Sequence, residues 1–379
     1  MYKVTASYTE GGTTQTAVIH GSKLNPEARR VLRGTLKEYV NSVPTFSFVI
    51  YPNNPGYDLM HNRLTKIVVA DDSGEGIFIG LVCSAADVMS DDGILYKSIV
   101  CKGELDYLND IIIDSVDISS GTGLETAINT VLTKYNQKAS NSKKILPYST
   151  TITIGLPGSY YAEFQSAATI VKELCDMCEY EYKITYEDGN RYLEVSSEFG
   201  QNSTTELALS INLQSMQRTV EASNIITRYY PFGAVNPNST TGARLRITGT
   251  GYIGSSTLES TYGVCEAVGY YDDIQPSDWE SSLAISQAQN RLRAAAQKDY
   301  NKMIGTLKSF QIKAVDLSFI DGRFEPLKVY NTYRLINKLQ GIDEDVRLTG
   351  RTLEIDNPQN PTLTFGQKQI TLTAMLAKR

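Results

Sequence analysis

Over much of the first 110 residues the side chains follow a period of two, which is typical of strands. Three such segments are Phe46, Phe48 and Ile50; Ile77, Ile79, Leu81 and Cys83; and Tyr96, Ser98 and Val100. Turn-forming sequences separate them at 52–56, 71–74 and 91–93. We therefore predict a small β-barrel or sandwich over residues 1–110, closed because an open sheet leaves exposed edges.

From about Gly121 the apolar positions recur at helical spacing. The first helix is predicted to bury Leu124, Ala127, Ile128, Val131, Leu132 and Tyr135. Thr122 and Glu125 are predicted to form its capping box. A second helix, after Gly158-Ser159, is predicted to place Phe164, Ala167, Ala168, Val171, Leu174 and Cys178 on one face.

Alternation returns from Tyr180 to Tyr186 and from Tyr192 to Val195, with the turn sequence Asp188-Gly189 between. This pattern predicts a β-hairpin. Two helices on a short sheet make a compact α+β domain, which we assign to residues 111–205.

The remaining chain predicts a second β-domain that is interrupted by a helix. Strands are predicted over Leu207–Phe232, a surface segment over 236–242, and a helix after Pro276-Ser277, capped by Ser277 and Glu280. The helix is predicted to end before Gly305 and to bury Ala284, Ala288, Leu292 and Ala295. Alternating segments follow, the last of them at Ile370, Leu372, Ala374 and Leu376.

These patterns define an α+β, multi-domain protein. Its predicted parts are a first β-barrel (1–110), an α+β domain (111–205), a second β-barrel (206–235 with 306–379) and an inserted domain with one helix (236–305). Residues 78–81 and 348–351 are weakly similar, and this similarity is the one sign of an internal repeat in the sequence.

Composition narrows the function. The chain has 36 basic and 42 acidic residues and no basic stripe, which argues against a nucleic-acid-binding surface. The N-terminus has no apolar signal core, and no apolar run reaches the length of a membrane span. Five cysteines in so long a chain predict reduced, mostly buried thiols.

Histidine and cysteine offer little for catalysis. Only His20 and His61 are present, and neither lies in a nucleophile or zinc motif, so packing or surface roles are the better interpretation. Cys175 and Cys178 have the spacing of a zinc or redox pair, but no second ligand pair is nearby. Core packing on the second helix is therefore favoured.

Carboxylates and glycines give the remaining candidates. Paired acids at Asp71-Asp72, Asp91-Asp92 and Asp272-Asp273 could serve a glycosidase, but turn sequence around each pair favours solvated turns. Gly249, Gly251 and Gly254 resemble a dinucleotide fingerprint without a helical pattern after it. We therefore predict no catalytic residue, no cofactor site and no metal site.

Several short segments, in this order, resemble a known family: Phe46–Asp58, Ile77–Gly80, Val100–Leu108, Asn224–Gly233, Gly251–Ile253, Tyr262–Gly263, Asp272–Ile274, Ala314–Leu317, Asp356–Pro358 and Leu363–Gly366. In these segments the chain resembles the N-terminal hub portion of a siphophage tail-tip family, which is called prophage endopeptidase tail or tail-associated lysin. Each motif is degenerate, and their order across nearly the whole chain carries the resemblance.

The resemblance implies a baseplate hub like that of contractile phages. Three subunits, each with two related β-barrels, would form a homotrimeric ring at the virion tail tip, made in the bacterial host cytoplasm. The implied partners are a hexameric distal tail protein, the tape-measure protein and tip or receptor-binding proteins. DNA would pass through the channel without specific binding. The protein itself is expected to have no membrane-spanning segment. The family's lytic activity lies in a downstream extension, so this chain is expected not to be an enzyme.

Two other functions stay open from the sequence. A peptidoglycan- or polysaccharide-degrading tail enzyme would clear bacterial cell walls in a zymogram, and a host-surface carbohydrate-binding protein would bind a glycan array. The net charge of −6 further predicts an acidic or neutral channel wall, because fixed positive charge would retain DNA.

Overall fold

The computed structural model describes residues 2–21, 30–71, 74, 76–148, 152–220, 225–305 and 308–366. The chain divides into two compact units, Met1–Met216 with Ile312–Thr364 and Gln217–Gln311 with Phe365–Arg379. Strands predominate over helices, which confirms a mixed, mostly β fold. No helix in the described residues is long and apolar enough to span a bilayer.

Seven strands form the first lobe of unit 1. They are β1 (Lys3–Glu10), β2 (Thr13–His20), β3 (Leu32–Tyr39), β4 (Thr45–Ile50), β5 (Lys66–Ala70), β6 (Gly76–Met89) and β7 (Leu95–Gly103). Their inner side chains form one hydrophobic core that includes Phe46, Phe48 and Ile50, as predicted.

The core face of the long hairpin β6–β7 differs from the prediction. Phe78 and Val82 of β6 and Ile99 and Cys101 of β7 are buried in the first core, whereas of the alternating residues of this hairpin noted in the sequence only Ile77 packs against that core. Both faces of β6 are apolar because Leu81 packs against a second core on the other side of the strand.

A middle part of unit 1 contains that second core. Its elements are β8 (Ile112–Ile118), α1 (Leu124–Lys138), β9 (Leu146–Pro147), β10 (Tyr160–Ser166), α2 (Ala167–Cys178), β11 (Glu181–Glu187) and β12 (Asn190–Ser196). All six predicted α1 residues are buried, and the predicted hairpin is present with Asp188 and Gly189 at positive φ.

Both predicted helix starts in this part are wrong. Gly123, not Thr122, precedes α1, and the backbone carbonyl of Ile154 accepts from the Leu124 N–H instead of a side-chain cap. Residues 160–166 pair with β8 as a strand, so α2 begins at Ala167 with Ser166 as its cap, and Phe164 is exposed.

The second lobe of unit 1 comes from two distant parts of the chain. It comprises β13 (Asn202–Ala208), β20 (Thr332–Asn337), β21 (Ile342–Glu354) and β22 (Thr362–Phe365). Strands β14 (Leu213–Val220) and β19 (Lys308–Ala314) complete the strands near these segments. The predicted strand over Ile370, Leu372, Ala374 and Leu376 lies outside the described residues.

One sheet of thirteen strands contains both lobes. Its path in unit 1 runs β22-β21-β3-β4-β7-β6-β5-β1-β2, and β20 pairs with both β13 and β21. The lobes join where β21 pairs antiparallel with β3 from Gly350–Tyr39 to Glu354–Thr35. Among the described pairings the strands do not close into a barrel, and β2 pairs with β1 alone.

Unit 2 is a four-stranded sheet under a long helix. It contains β15 (Arg228–Val235), β16 (Arg244–Arg246), β17 (Ile253–Gly254), α3 (Ser256–Tyr262), β18 (Glu266–Tyr271) and α4 (Ser282–Gly305). Helix α4 packs Ala288, Leu292 and Ala296 on the inner face of the sheet.

The start of α4 and the presence of α3 correct the prediction. Ser281, not Ser277, accepts from the Ala284 N–H, so the helix begins at Ser282, and it runs to Gly305. Helix α3 was not predicted, because its seven residues carry no apolar face that is buried.

Candidate functional site

Neither histidine lies in a catalytic arrangement. His20 is buried at the end of β2, and His61 is exposed and stacks on Tyr8 with ring centroids 4.2 Å apart. In the described residues, no group of three His, Cys, Asp or Glu side chains could hold a metal ion.

The two neighbouring cysteines are core residues of α2. Cys175 and Cys178 are both buried in the core of the middle part, and all five cysteines are free thiols. Burial raises the pKa of both thiols, most strongly that of Cys175. A thiol that stays protonated is a poor nucleophile and metal ligand.

The paired acids occupy turns. Asp91 and Asp92 are exposed in the β6–β7 turn, which Gly93 closes at positive φ. Asp272 forms an ion pair with Arg244, and Asp273 is exposed beside it. Asp71 is described, whereas its neighbour Asp72 lies outside the described residues.

The glycine motif has a role in the backbone of unit 2. Gly249 and Gly251 adopt positive φ, and Gly254 lies within β17, where a Cβ would come within 2.5 Å of the Thr227 carbonyl oxygen. A helix does follow, contrary to the expectation, because Ser255 caps α3. The glycines nevertheless do not form the strand-to-helix turn of a dinucleotide site, since Gly254 is itself in a strand.

A buried carboxylate joins the first lobe to the middle part. Glu104 has a side chain only 1% exposed, and it accepts from Arg191 Nε at 2.5 Å and from the Tyr186 hydroxyl at 2.9 Å. Lys66 Nζ lies 3.5 Å from the same carboxylate. Burial alone would raise the pKa of Glu104, but the hydrogen bond and charge of Arg191, with Lys66 and Tyr186, hold it below its ordinary value.

Next to this carboxylate is a cavity of about 430 Å³ within unit 1. Its lining includes Glu38, Tyr39, Glu104, Lys183 and Tyr330. Each charged side chain in that set is paired: Glu38 with Arg351, Glu104 with Arg191 and Lys183 with Glu194. The cavity is therefore a polar joint between parts of the unit, without an uncompensated charge to activate a substrate.

Arginines fix the second lobe to its neighbours in the same way. Arg347 binds both carboxylate oxygens of Glu181, at 2.6 and 2.8 Å, and donates to the Phe199 carbonyl at 3.0 Å. Arg351 donates to Glu38 at 2.6 and 2.9 Å across the β3–β21 pairing. The Arg347–Glu181 pair is bidentate, whereas both Arg351 hydrogen bonds go to one oxygen of Glu38; a bidentate pair sets geometry as well as adding stability.

The outer face of the unit 2 sheet carries alternating aromatic and arginine side chains. We call it the arginine–aromatic face, and it consists of Arg228, Tyr230, Phe232, Arg244, Arg246, Tyr252 and Tyr270. Guanidinium carbons lie over three of the rings, at 5.1 Å for Arg228 on Tyr252, 4.9 Å for Arg244 on Tyr270 and 5.1 Å for Arg246 on Phe232. This composition is typical of protein interfaces.

Unit 1 ends in exposed apolar residues at both ends of its sheet. At the β6–β7 turn, Met89 is 70% exposed, with Ile94 and Leu95 beside it. At the end of β13 and β20, Leu339 is 85% exposed, with Leu209 and Ile211 also exposed. Exposed apolar clusters of this kind mark contact sites for other proteins.

Comparison with solved structures identifies the fold of this molecule. A tail protein from Neisseria meningitidis MC58 matches with a TM-score of 0.63 and 13% identity over 97% of each chain. The 43 kDa tail protein of prophage MuSo2 from Shewanella oneidensis matches with a TM-score of 0.62 and 10% identity over 99% of each chain. The fold is therefore that of prophage tail proteins.

A further match extends this fold beyond phages. A chain of the Francisella PdpA–VgrG complex has a TM-score of 0.51 and 9% identity, with 97% of this chain covering 57% of that one. A search of curated protein sequences finds no match.

The sequence itself carries the family signal in its C-terminal part. Residues 201–376 match the family described as prophage endopeptidase tail. Residues 201–376 are thus similar to the prophage endopeptidase tail family, the family that the sequence motifs resemble, and the fold of the chain is similar to that of solved prophage tail proteins.

Proposed function

We propose that the protein is the baseplate hub of a phage or prophage tail, a non-enzymatic homotrimeric ring around the DNA channel that joins the tail tube to the tip. The observation that carries this proposal is the pairing of β3 with β21. It holds the two lobes of one subunit side by side in a continuous sheet, so three subunits can present six lobes around one axis.

The open strand edge of the first lobe supports a ring. Strand β2 is eight residues long, and in the described part of the chain it pairs only on its β1 side. An unpaired edge of this length invites pairing with another chain. Ring closure between subunits would cover it, which an isolated subunit cannot do.

The two exposed apolar ends support contacts above and below the ring. Strands β6 and β21 run in the same direction, because antiparallel pairings link them in turn through β7, β4 and β3. Strand β6 ends at Met89, whereas β21 begins beside Leu339, so the two apolar clusters lie at opposite ends of the sheet. The hub would bind the hexameric distal tail protein at one end and tip or receptor-binding proteins at the other.

The remaining features of the hub follow from the ring. The four-domain division, with β-lobes at 1–110 and at 206–235 with 306–379, the α+β domain at 111–205 and the insertion at 236–305, would place the lobes around the axis. The tape-measure protein or the tip would close the channel until DNA leaves the virion. An acidic or neutral wall would let DNA pass without binding.

Native mass spectrometry of the purified protein, alone and mixed with the distal tail protein of the same phage, tests the proposal. We expect a species of three times the 41.9 kDa chain mass, either alone or bound to the hexamer. A chain that stays monomeric or dimeric in both samples would contradict the ring.

A further inference from the structure

We propose that the arginine–aromatic face of unit 2 binds the outer face of the β8–β10 sheet of the next copy in the ring. The proposal rests on the trimer proposed above, and it assigns the surfaces through which neighbours meet. A closed ring needs two different, complementary faces on every chain, because each subunit meets its two neighbours through opposite sides.

The arginine–aromatic face favours a protein partner over a glycan or a nucleic acid. Sugars and bases bind aromatic side chains by stacking on open ring faces. Here the guanidinium groups of Arg228, Arg244 and Arg246 already cover Tyr252, Tyr270 and Phe232. The face exposes the N–H edges of its arginines among aromatic carbons. A partner surface with carboxylates among apolar side chains is complementary to it.

Charge pairing within the face identifies the arginine that is open to a partner. Arg228 pairs with Glu259 and Glu266, and Arg244 pairs with Asp272. Arg246 is exposed, and the described residues place no carboxylate within ion-pair distance of it. Its charge is therefore available to a carboxylate of another chain.

The outer face of the β8–β10 sheet has the complementary character. Tyr161 is 63% exposed and Phe164 is 70% exposed, with Ile112 also exposed nearby. Glu163 and Asp117 are exposed on the same two strands, and no lysine or arginine of the described residues pairs with either. The face is thus apolar and aromatic with two carboxylates that lack a basic partner.

Phe164 also has a backbone that a phenylalanine rarely adopts. Its φ is +50°, and the pairing of β10 with β8 skips it. The left-handed region is energetically costly for a non-glycine residue, because its Cβ crowds the backbone. An exposed aromatic side chain held outward at that cost has the properties of an interface anchor.

The two faces are also of the same kind, because each is the open side of a sheet that is covered by helices on its other side. Open sheet faces pack on each other with interdigitated side chains. Every copy of this chain carries both faces. The partner that binds the arginine–aromatic face can therefore be a second copy of the same protein.

Photo-cross-linking tests the contact directly. Phe164 is replaced with p-benzoylphenylalanine, which keeps an aromatic side chain there, and the protein is mixed with an isotopically heavy copy before irradiation. We expect mixed light–heavy cross-links from position 164 to peptides within 228–271. The same cross-linker at Phe324, an exposed aromatic residue of unit 1, should not label those peptides.

The mass of the irradiated protein separates the two proposals. A trimeric mass with cross-links from 164 to other peptides would overturn the face pairing and leave the ring intact. A monomeric mass without light–heavy products, both alone and in the presence of the distal tail protein, would overturn the ring and the face pairing together.

A charge exchange gives an independent readout. Arg246→Glu should weaken trimer association about tenfold, because it places a carboxylate against Glu163 and Asp117. Adding Glu163→Arg should restore association, whereas Arg323→Glu, at a side chain 88% exposed elsewhere in unit 1, should leave it unchanged. Loss without rescue in variants with unchanged circular dichroism would contradict the pairing.

Discussion

Single charged residues hold the parts of unit 1 together, and Glu104 is the most enclosed of them. It lies at the end of β7 and binds Arg191 of β12, so it links the first lobe to the middle part. A buried ion pair of this kind adds little net stability compared with an apolar replacement, but removing one partner leaves the other charge buried and unpaired.

The first prediction concerns this carboxylate. Glu104→Gln should lower the free energy of unfolding by about 3 kcal/mol at pH 7, because Arg191 loses its buried counter-charge. Chemical denaturation followed by circular dichroism measures the change. The matched control is Glu187→Gln, at an exposed residue of β11, which should change stability by less than about 0.5 kcal/mol.

The pH dependence of this difference in stability follows from the direction in which the pKa of Glu104 is shifted. The folded protein holds the pKa of Glu104 below its ordinary value of 4.5, so the stabilisation is fully present above pH 4.5. It is lost as the pH falls through the lower, folded value. The gap between the natural protein and Glu104→Gln should therefore shrink in acid, and a gap that widens below pH 4.5 would contradict the assignment.

At the scale of elements, the hairpin β6–β7 depends on a close approach of two backbones. Gly80 of β6 lies opposite Gly103, and a Cβ at Gly80 would come 2.1 Å from the Lys102 carbonyl oxygen. Neither backbone can move far without disturbing the core on either face of β6.

The second prediction follows from this contact. Gly80→Ala should destabilise the protein by about 3 kcal/mol or more, because the methyl group would force two paired strands apart. Gly76→Ala in the same strand is the matched control, since its Cβ would meet Ile79 at an ordinary 3.5 Å. Thermal denaturation measures the melting temperature of both variants. Equal melting temperatures for Gly80→Ala and Gly76→Ala would show that the backbones of β6 and β7 are not in close contact at Gly80.

Which elements exist could be predicted from the sequence, but which face they bury could not always be. The periodicity of α1 identified all six of its buried residues, because one helical face meets one core. In β6 both faces are apolar, so period-two alternation could not tell Phe78 and Val82 from Ile79 and Leu81. The second core that covers Leu81 comes from residues far along the chain.

Helix boundaries were the other weak point. Phe164 is spaced for the α2 face, yet residues 160–166 pair with β8 as a strand in which Phe164 itself is skipped. Thr122 fits a capping motif, yet the Ile154 carbonyl already satisfies the Leu124 N–H. The only sign of the arginine–aromatic face in the sequence is the abundance of tyrosine, because its residues come from β15, β16, β18 and the residue before β17, which the sequence does not show to be adjacent.

At the scale of the whole molecule, the proposed hub would have to let DNA pass without binding it. The chain has a net charge of −6, and the arginines of the arginine–aromatic face other than Arg246 are paired with carboxylates. Phosphate binding requires several uncompensated cations that can replace counterions.

The third prediction is therefore weak DNA binding. Fluorescence anisotropy with labelled double-stranded and single-stranded DNA at about 0.15 M salt should give a Kd weaker than about 10 µM for the assembled protein. A lysine-bearing variant, Asp91→Lys with Asp92→Lys, provides a comparison in which any binding should increase. Tight, salt-dependent binding by the natural protein would contradict a permissive channel.

The joint between β3 and β21 has a consequence for synthesis. Leu353 and Ile355 pack in the core of the first lobe. They lie more than 300 positions after β3, the strand with which β21 pairs. A nascent chain on the ribosome therefore cannot complete the N-terminal lobe until Leu353 and Ile355 have emerged. Fragments that end before these two residues would expose an unfilled hydrophobic core.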